Sequence, residues 1–327
     1  MKPQMLAANI IGPQRIQVQE VAVPDVNANE VLIAIEGCGV CGSNLPTWEG
    51  RPWFEYPFGV GAPGHEGWGR VAAVGKDVSN VKEGDRVAAI SYHAFAEYDV
   101  AAAANVVLLP PNLDGRDFPG EALACAMNIF ERAKIRGGDR VAVVGVGFLG
   151  ALLVQLAARA GAEVFGFGRR ADGLAVAKSF GAQEAMRIPE PGEGEALTAL
   201  VEASGSQGFD VVIECVGQQA ALDLATRLCK ISARLVIAGF HQDGLRQIDL
   251  CSWNWRALEI VNAHVREPQA YVRGLQQAVE AVTEGRLVPD TLYTHRYPLE
   301  EAGNALALLL KRPPGFMKAS VVAGRAA

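Results

Sequence analysis

Residues 140–170 read RVAVVGVGFLGALLVQLAARAGAEVFGFGRR, and the fold turns on them. RVAVVGVG is a continuous apolar run, the mark of a strand buried on both faces. FLGALLVQLAARAGA has a helical pattern, and AEVFGFG returns to a strand. At the first strand-to-helix junction stand Gly145, Gly147 and Gly150, in the spacing G-x-G-x-x-G. Glycines there permit a tight turn and let a pyrophosphate approach the backbone at the positive end of the helix. A glycine turn packed for its own sake is the bland alternative. A strand directly before and a helix directly after are the context that dinucleotide binding demands.

The end of the second strand selects the cofactor. A site for NAD needs an acid there for the ribose 2′-hydroxyl. This chain has Gly168, Arg169 and Arg170 instead. Two arginines next to a helix start are locally unfavourable, because the macrodipole prefers anions. A bound 2′-phosphate reverses that balance, so NADP(H) is expected over NAD(H). Two solvated surface arginines are the competing reading.

Beyond Arg170 the alternation continues. DGLAVAKSFGA and QQAALDLATRLCKI read as helices, while FDVVIECVG, RLVIAGF and LEIVNAH read as strands. Strands alternating with helices predict a parallel sheet covered on both faces. Before residue 109 the character differs. RIQVQEVAV, EVLIAIEGCGV, EGWGRVAAVG and DRVAAISY are short β-rich runs separated by turn residues. PPNLDG breaks the pattern, and the helical run EALACAMNIFERAKI follows. The last stretch, from AYVRGLQQAVEAVTEG to MKASVVAG, holds too little to fold alone and is expected to complete the first domain. The expected division is 1–125 with 266–327 for the β-rich domain, and 126–265 for the dinucleotide-binding domain.

Composition narrows the function. The chain has 327 residues, is 50% hydrophobic, and carries a net charge of −6. A basic face for nucleic acid or an anionic membrane is therefore not expected. No run reaches the roughly 18 apolar residues of a membrane span. MKPQMLAANIIGPQ lacks the apolar core of a signal peptide. Six scattered cysteines make no disulfide framework, so a cytoplasmic location is expected.

Cys38 and Cys41 form a C-x-x-C pair with no second pair to complete a structural zinc knuckle. Downstream, APGHEGWGRVAAVG supplies His65 and Glu66. Cysteine, histidine and carboxylate are suitable zinc ligands, and a catalytic site uses three of them with an open position. Here the chain resembles the zinc-dependent medium-chain dehydrogenases, closest to their alcohol and polyol branch. C-G-S-N, G-H-E-G-x-G, G-D-R-V and G-x-G-x-x-G, in that order, carry the resemblance across essentially the whole chain.

The resemblance implies a GroES-like catalytic domain beside a Rossmann domain, in a homodimer or homotetramer. It places the first zinc ligand on Cys41, the second on His65, and the neighbouring carboxylate on Glu66. The later ligand position falls on Glu121 of EALAC, and the hydroxyl that contacts the substrate oxygen falls on Ser43. Cys38 then reads as a buried strand residue and Cys125 as core packing. A redox dithiol at Cys38 and Cys41 stays as the alternative.

Three departures from the family pattern stand out. The run from Val78 to Leu109 has no cysteine, so one catalytic zinc and no structural zinc is expected. The aspartate that braces the ligand histidine is Asn44, and the histidine that ends some proton relays is Pro46. The expected activity is hydride transfer between NADP(H) and a small alcohol or carbonyl, of polyol, sugar or cyclitol type. The alternatives are a zinc-free reductase of an activated double bond and a non-catalytic nucleotide-binding relative. Among the other histidines, His241 leaves a strand at its carboxyl end, where open α/β sheets bind ligands. Trp48, Trp53, Phe54 and Tyr56 line the loop between the candidate ligands, as a substrate wall or a small core.

Overall fold

In the computed structural model, which describes residues 3–190, 193–205 and 207–323, the chain opens on an antiparallel pair. The pair is β1 (Gln4–Gly12) and β2 (Arg15–Ala22). Next come β3 (Glu30–Gly39), the short helix α1 (Leu45–Glu49), β4 (Glu66–Val74) and β5 (Arg86–Ala89). Then follow β6 (Tyr98–Ala102), β7 (Val106–Leu108) and the helix α2 (Gly120–Ala133). β3 is the hub of this part. It pairs antiparallel with β4 and with β6, which its unbroken buried run Val31, Leu32 and Ile33 allows. Cys41 and His65 stand just beyond β3 and just before β4, at neighbouring strand ends of one sheet.

The chain then alternates regularly through β8 (Arg140–Val144), α3 (Phe148–Arg159), β9 (Glu163–Gly168), α4 (Ala171–Ser179) and β10 (Glu184–Arg187). It continues with α5 (Gly194–Ala203), β11 (Phe209–Glu214), α6 (Gln219–Leu228), β12 (Cys229–Ile237), α7 (Leu250–Trp255) and β13 (Glu259–Asn262). The strands make one parallel sheet in the order β10-β9-β8-β11-β12-β13. Its core of Val144, Phe167, Phe209, Val212, Leu224 and Leu235 is drawn from strands and from α6.

Finally α8 (Pro268–Thr283), β14 (Tyr293–Pro298), α9 (Ala302–Lys311) and β15 (Lys318–Val322) return to the first sheet. β15 pairs antiparallel with β3, Val321 opposite Cys38. The chain thus divides into two units, Met1–Cys125 with Arg266–Ala327, and Ala126–Val265. The division falls within α2. Among the described residues, no helix is long and apolar enough to cross a membrane.

The structure differs from the sequence expectations at several elements. β1, α1, β6, β7, β10, α5, α7, β14 and α9 are not read as elements from sequence alone. The run QQAALDLATRLCKI ends as a helix at Leu228, and Cys229 already pairs with Phe209 in the sheet. Ser232, at φ 59°, absorbs the resulting register shift.

Candidate metal and dinucleotide sites

In the first unit, the turn Gly42–Asn44 after β3 and the start of β4 bring Cys41, His65 and Glu66 together. One potential ligand atom from each lies within 4.8 Å of the others. The turn is fixed by Asn44, whose Oδ1 accepts from the Cys41 amide at 2.9 Å and whose Nδ2 donates to the Pro63 carbonyl at 3.1 Å. Asn44 therefore braces the histidine only indirectly, a correction to the sequence expectation. The direct brace is backbone. His65 Nδ1 lies 2.8 Å from the Pro63 carbonyl. A carbonyl can only accept, so Nδ1 carries a proton and Nε2 is the nitrogen turned to the seat, with the Ser43 hydroxyl 3.3 Å from it.

Glu121, in the first turn of α2, places Oε2 3.9 Å from His65 Nε2. Its Oε1 accepts from the Cys125 thiol at 3.2 Å. Cys125 is only half-buried and fixes the Glu121 carboxylate, where core packing was expected. Cys38, by contrast, is fully buried within β3.

Sequence reasoning missed Lys318. Its ammonium lies 2.7 and 2.6 Å from the two oxygens of Glu66, and Glu66 is completely buried. The sequence signal was a lysine opening the mostly apolar strand KASVV. Burial favours the neutral amine of Lys318, but Glu66, Cys41 and Glu121 outweigh it and raise its pKa.

The same acidic surroundings act on His65. Burial pushes its pKa down, yet Cys41, Glu121 and Glu66 together lift it to about 10. Burial, with the nearby Glu66 charge, raises the pKa of Glu121, which His65 partly offsets. A thiol, an imidazole nitrogen and carboxylates around one point form a seat for a cation. The donor chemistry fits zinc.

The aromatic loop resolves into two parts. Trp48 is buried in the core, whereas Trp53 is more than half exposed. Phe54, Tyr56 and Phe58 form a chain of ring contacts at 5.6 and 5.4 Å.

In the second unit, the β8–α3 turn is built as the glycine spacing requires. Gly145 has φ 99°, and a Cβ there would meet Val216 Cγ2 at 2.4 Å. A Cβ on Gly150 would lie 2.1 Å from the Gly145 carbonyl oxygen, so α3 can close on the turn only with glycine. Gly147 caps α3 with open space beside it. That open cradle at a helix N-terminus fits a pyrophosphate.

Gly168 ends β9 and Arg170 caps α4. Arg169 is exposed, while Arg170 Nη1 lies 3.7 Å from Asp172 Oδ2. A Cβ on Gly168 would make only ordinary contact, at 3.5 Å from Leu174. The absence of an acid at this strand end is therefore not forced by crowding.

Comparison with known proteins finds relatives over most of the chain. The family described as "Zinc-binding dehydrogenase" matches residues 149–281, and "Alcohol dehydrogenase GroES-like domain" matches residues 27–120. An alcohol dehydrogenase of Moraxella sp. is 30% identical over 64% of this chain and 73% of its own. D-arabinitol dehydrogenase 1 of Uromyces fabae is 24% identical over 94% of this chain and 95% of its own. A putative zinc-binding dehydrogenase from Sinorhizobium meliloti, solved bound to NADP, superposes with a TM-score of 0.83. It is 26% identical, over 98% of this chain and 100% of that one.

Proposed function

This chain belongs to the zinc-type alcohol dehydrogenases of the medium-chain family, and we propose that it interconverts a hydroxyl and a carbonyl on a small polyol or sugar with NADP(H). The observation that carries the reading is the meeting of Cys41, His65 and Glu66 around one point, with Glu121 beside them. Cys41, His65 and the two carboxylates would hold one zinc. When bound, zinc supplies Lewis acidity toward the substrate oxygen. The nicotinamide supplies or accepts the hydride.

The chain's own residues do the rest. Pro63 holds the His65 ring so that Nε2 faces the seat. With Nε2 engaged as a zinc ligand, the Ser43 hydroxyl would be left to face the substrate oxygen. In oxidation Ser43 Oγ takes up the proton of the substrate hydroxyl and passes its own to water or a cofactor hydroxyl. The hydride leaves the same carbon, so a carbonyl forms with charge balanced. The carboxylates Glu66 and Glu121 favour a hydroxyl-rich substrate, in keeping with the arabinitol dehydrogenase among the relatives.

Arg169 and Arg170 support NADP(H). Each can give a 2′-phosphate a charge-assisted contact, together shifting preference by about a hundredfold. The test has two parts. Elemental analysis is expected to find one zinc per chain; a value near two would reveal a second site, and turnover without metal would favour a zinc-free reductase. The kcat/KM ratio for NADP(H) against NAD(H) is expected to invert in a Gly168→Asp, Arg169→Ala, Arg170→Ala variant. A wild type that already prefers NAD(H) would make both arginines solvated surface charges.

A further inference from the structure

At the carboxyl end of the parallel sheet, Glu214 closes β11 and is completely buried. Its Oε1 accepts from the Val216 and Gly217 amides at 2.7 and 2.8 Å. Its Oε2 accepts from His241 Nε2 at 3.0 Å. His241 lies in the segment between β12 and α7, and its Nδ1 is 2.8 Å from Arg246 Nε. A guanidinium can only donate, so Nδ1 is the acceptor and the proton sits on Nε2, aimed at Glu214. Arg246 also donates to the Gly217 carbonyl at 2.8 Å and pairs with Asp243. A second stitch joins the same two segments, Gln247 N to Gln219 Oε1 and Gln219 Nε2 to the Gln247 carbonyl, both at 2.9 Å.

These bonds converge on Glu214: Arg246 donates to His241 and His241 to one carboxylate oxygen, while the amides of the Val216–Gly217 turn donate to the other. Gly145 leans on that turn: the space a Cβ would need is taken by Val216 Cγ2, 2.4 Å away. We propose that His241 and Arg246 are positioning residues for the dinucleotide, holding through Glu214 the turn on which the phosphate-binding glycine loop rests. The inference rests on the reading that the β8–α3 turn binds a dinucleotide. Neither residue needs to touch the cofactor. The latch lies on the β11 side of β8, whereas Arg169 and Arg170 follow β9 on the other side. It therefore governs the pyrophosphate and leaves recognition of the 2′-phosphate alone.

The experiment measures dissociation constants of the full-length protein for NADPH and for 2′-AMP, which carries the adenosine and 2′-phosphate but no pyrophosphate. His241→Phe keeps a ring but removes both nitrogens, and Arg246→Met keeps an apolar stem without the donors. Both are expected to raise the NADPH constant about tenfold while changing that for 2′-AMP by less than about twofold. His241→Gln places an amide donor toward Glu214 and an acceptor toward Arg246, and is expected to recover binding to within about threefold of wild type. An unchanged NADPH constant in both His241→Phe and Arg246→Met would overturn the proposal. So would parallel weakening of both ligands, which is what simple loss of folding produces. A wild type that binds neither ligand overturns the dinucleotide reading as well, so the two failures are told apart.

Discussion

Glu66 and Glu214 are both sealed from solvent, one in each unit, and they are held in opposite ways. Glu66 faces a single buried ammonium, Lys318, brought from 252 residues away. Glu214 is held by two amides of its own turn and one imidazole. Amides are fixed dipoles that cannot be withdrawn without unfolding the turn. An ammonium is a full charge, and its partner carboxylate lies beside a thiol and an imidazole that also suit a cation. On the proposed reading, the carboxylate held by charge serves the metal seat and the one held largely by backbone serves the scaffold.

The strongest test of that contrast is Lys318→Met. Removing one partner of a buried ion pair costs about 3–5 kcal/mol. Denaturant unfolding of the chelator-treated variant is expected to show a loss of that order, and added zinc should restore part of it by giving Glu66 another cation. A loss that zinc leaves untouched would break the link between Glu66 and the metal seat.

Cys41→Ser against Cys38→Ser comes next. The first is expected to lower zinc affinity by about a hundredfold or more, as deletion of a ligand exceeds the 10–100-fold cost of losing a supporting partner. The second should keep the metal and cost about 1 kcal/mol, typical of a core substitution. Equal metal loss from both would restore the paired-cysteine reading.

A pH series sharpens the contrast further. In the metal-free fold His65 binds its proton with a pKa of about 10, against 6.5 for an ordinary histidine. The raised value means that the stability it contributes is complete below pH 6.5 and is lost as pH rises through about 10. The melting temperature of chelator-treated protein is therefore expected to fall between pH 6.5 and about 10. With zinc on Nε2 that dependence should disappear. A flat metal-free profile would contradict the acidic surroundings assigned to His65.

A smaller effect than that of Lys318→Met is expected from Glu214→Gln. The amide oxygen can still accept from Val216 and Gly217, and only the bond from His241 Nε2 is lost, so the cost should stay near that of one buried unpaired donor, about 1–3 kcal/mol. A loss as large as that of Lys318→Met would show that Glu214 is held by charge after all.

How legible each carboxylate's setting was follows from the same contrast. The glycine turn could be read because its requirements are local: a tight turn at Gly145, a close approach at Gly150, and a strand and helix on either side. Cys41, His65, Glu66 and Glu121 came from the resemblance, at positions that match the family's motifs and that fall at two strand ends and a helix start. Lys318 could not be read, since nothing near it in sequence says which carboxylate it meets. The brace on His65 was misassigned to Asn44 because a backbone carbonyl, that of Pro63, has no side-chain signature. Cys229–Ile231 reads as helix in sequence but is strand, because a register shift in the sheet, absorbed at Ser232, outweighs local propensity.

The discontinuity of the first unit sets an order of events during synthesis. Ion pairs tie its late segment to its early one, among them Arg116 to Asp290, Asp117 to Arg296, and Glu66 to Lys318. At about 5–20 residues per second, Lys318 leaves the ribosome roughly 13–50 s after Glu66. The continuous unit Ala126–Val265 is fully made within that interval. Nascent chains of this protein therefore hold a finished nucleotide-binding sheet while the acid beside the metal seat still waits, hydrated, for its lysine.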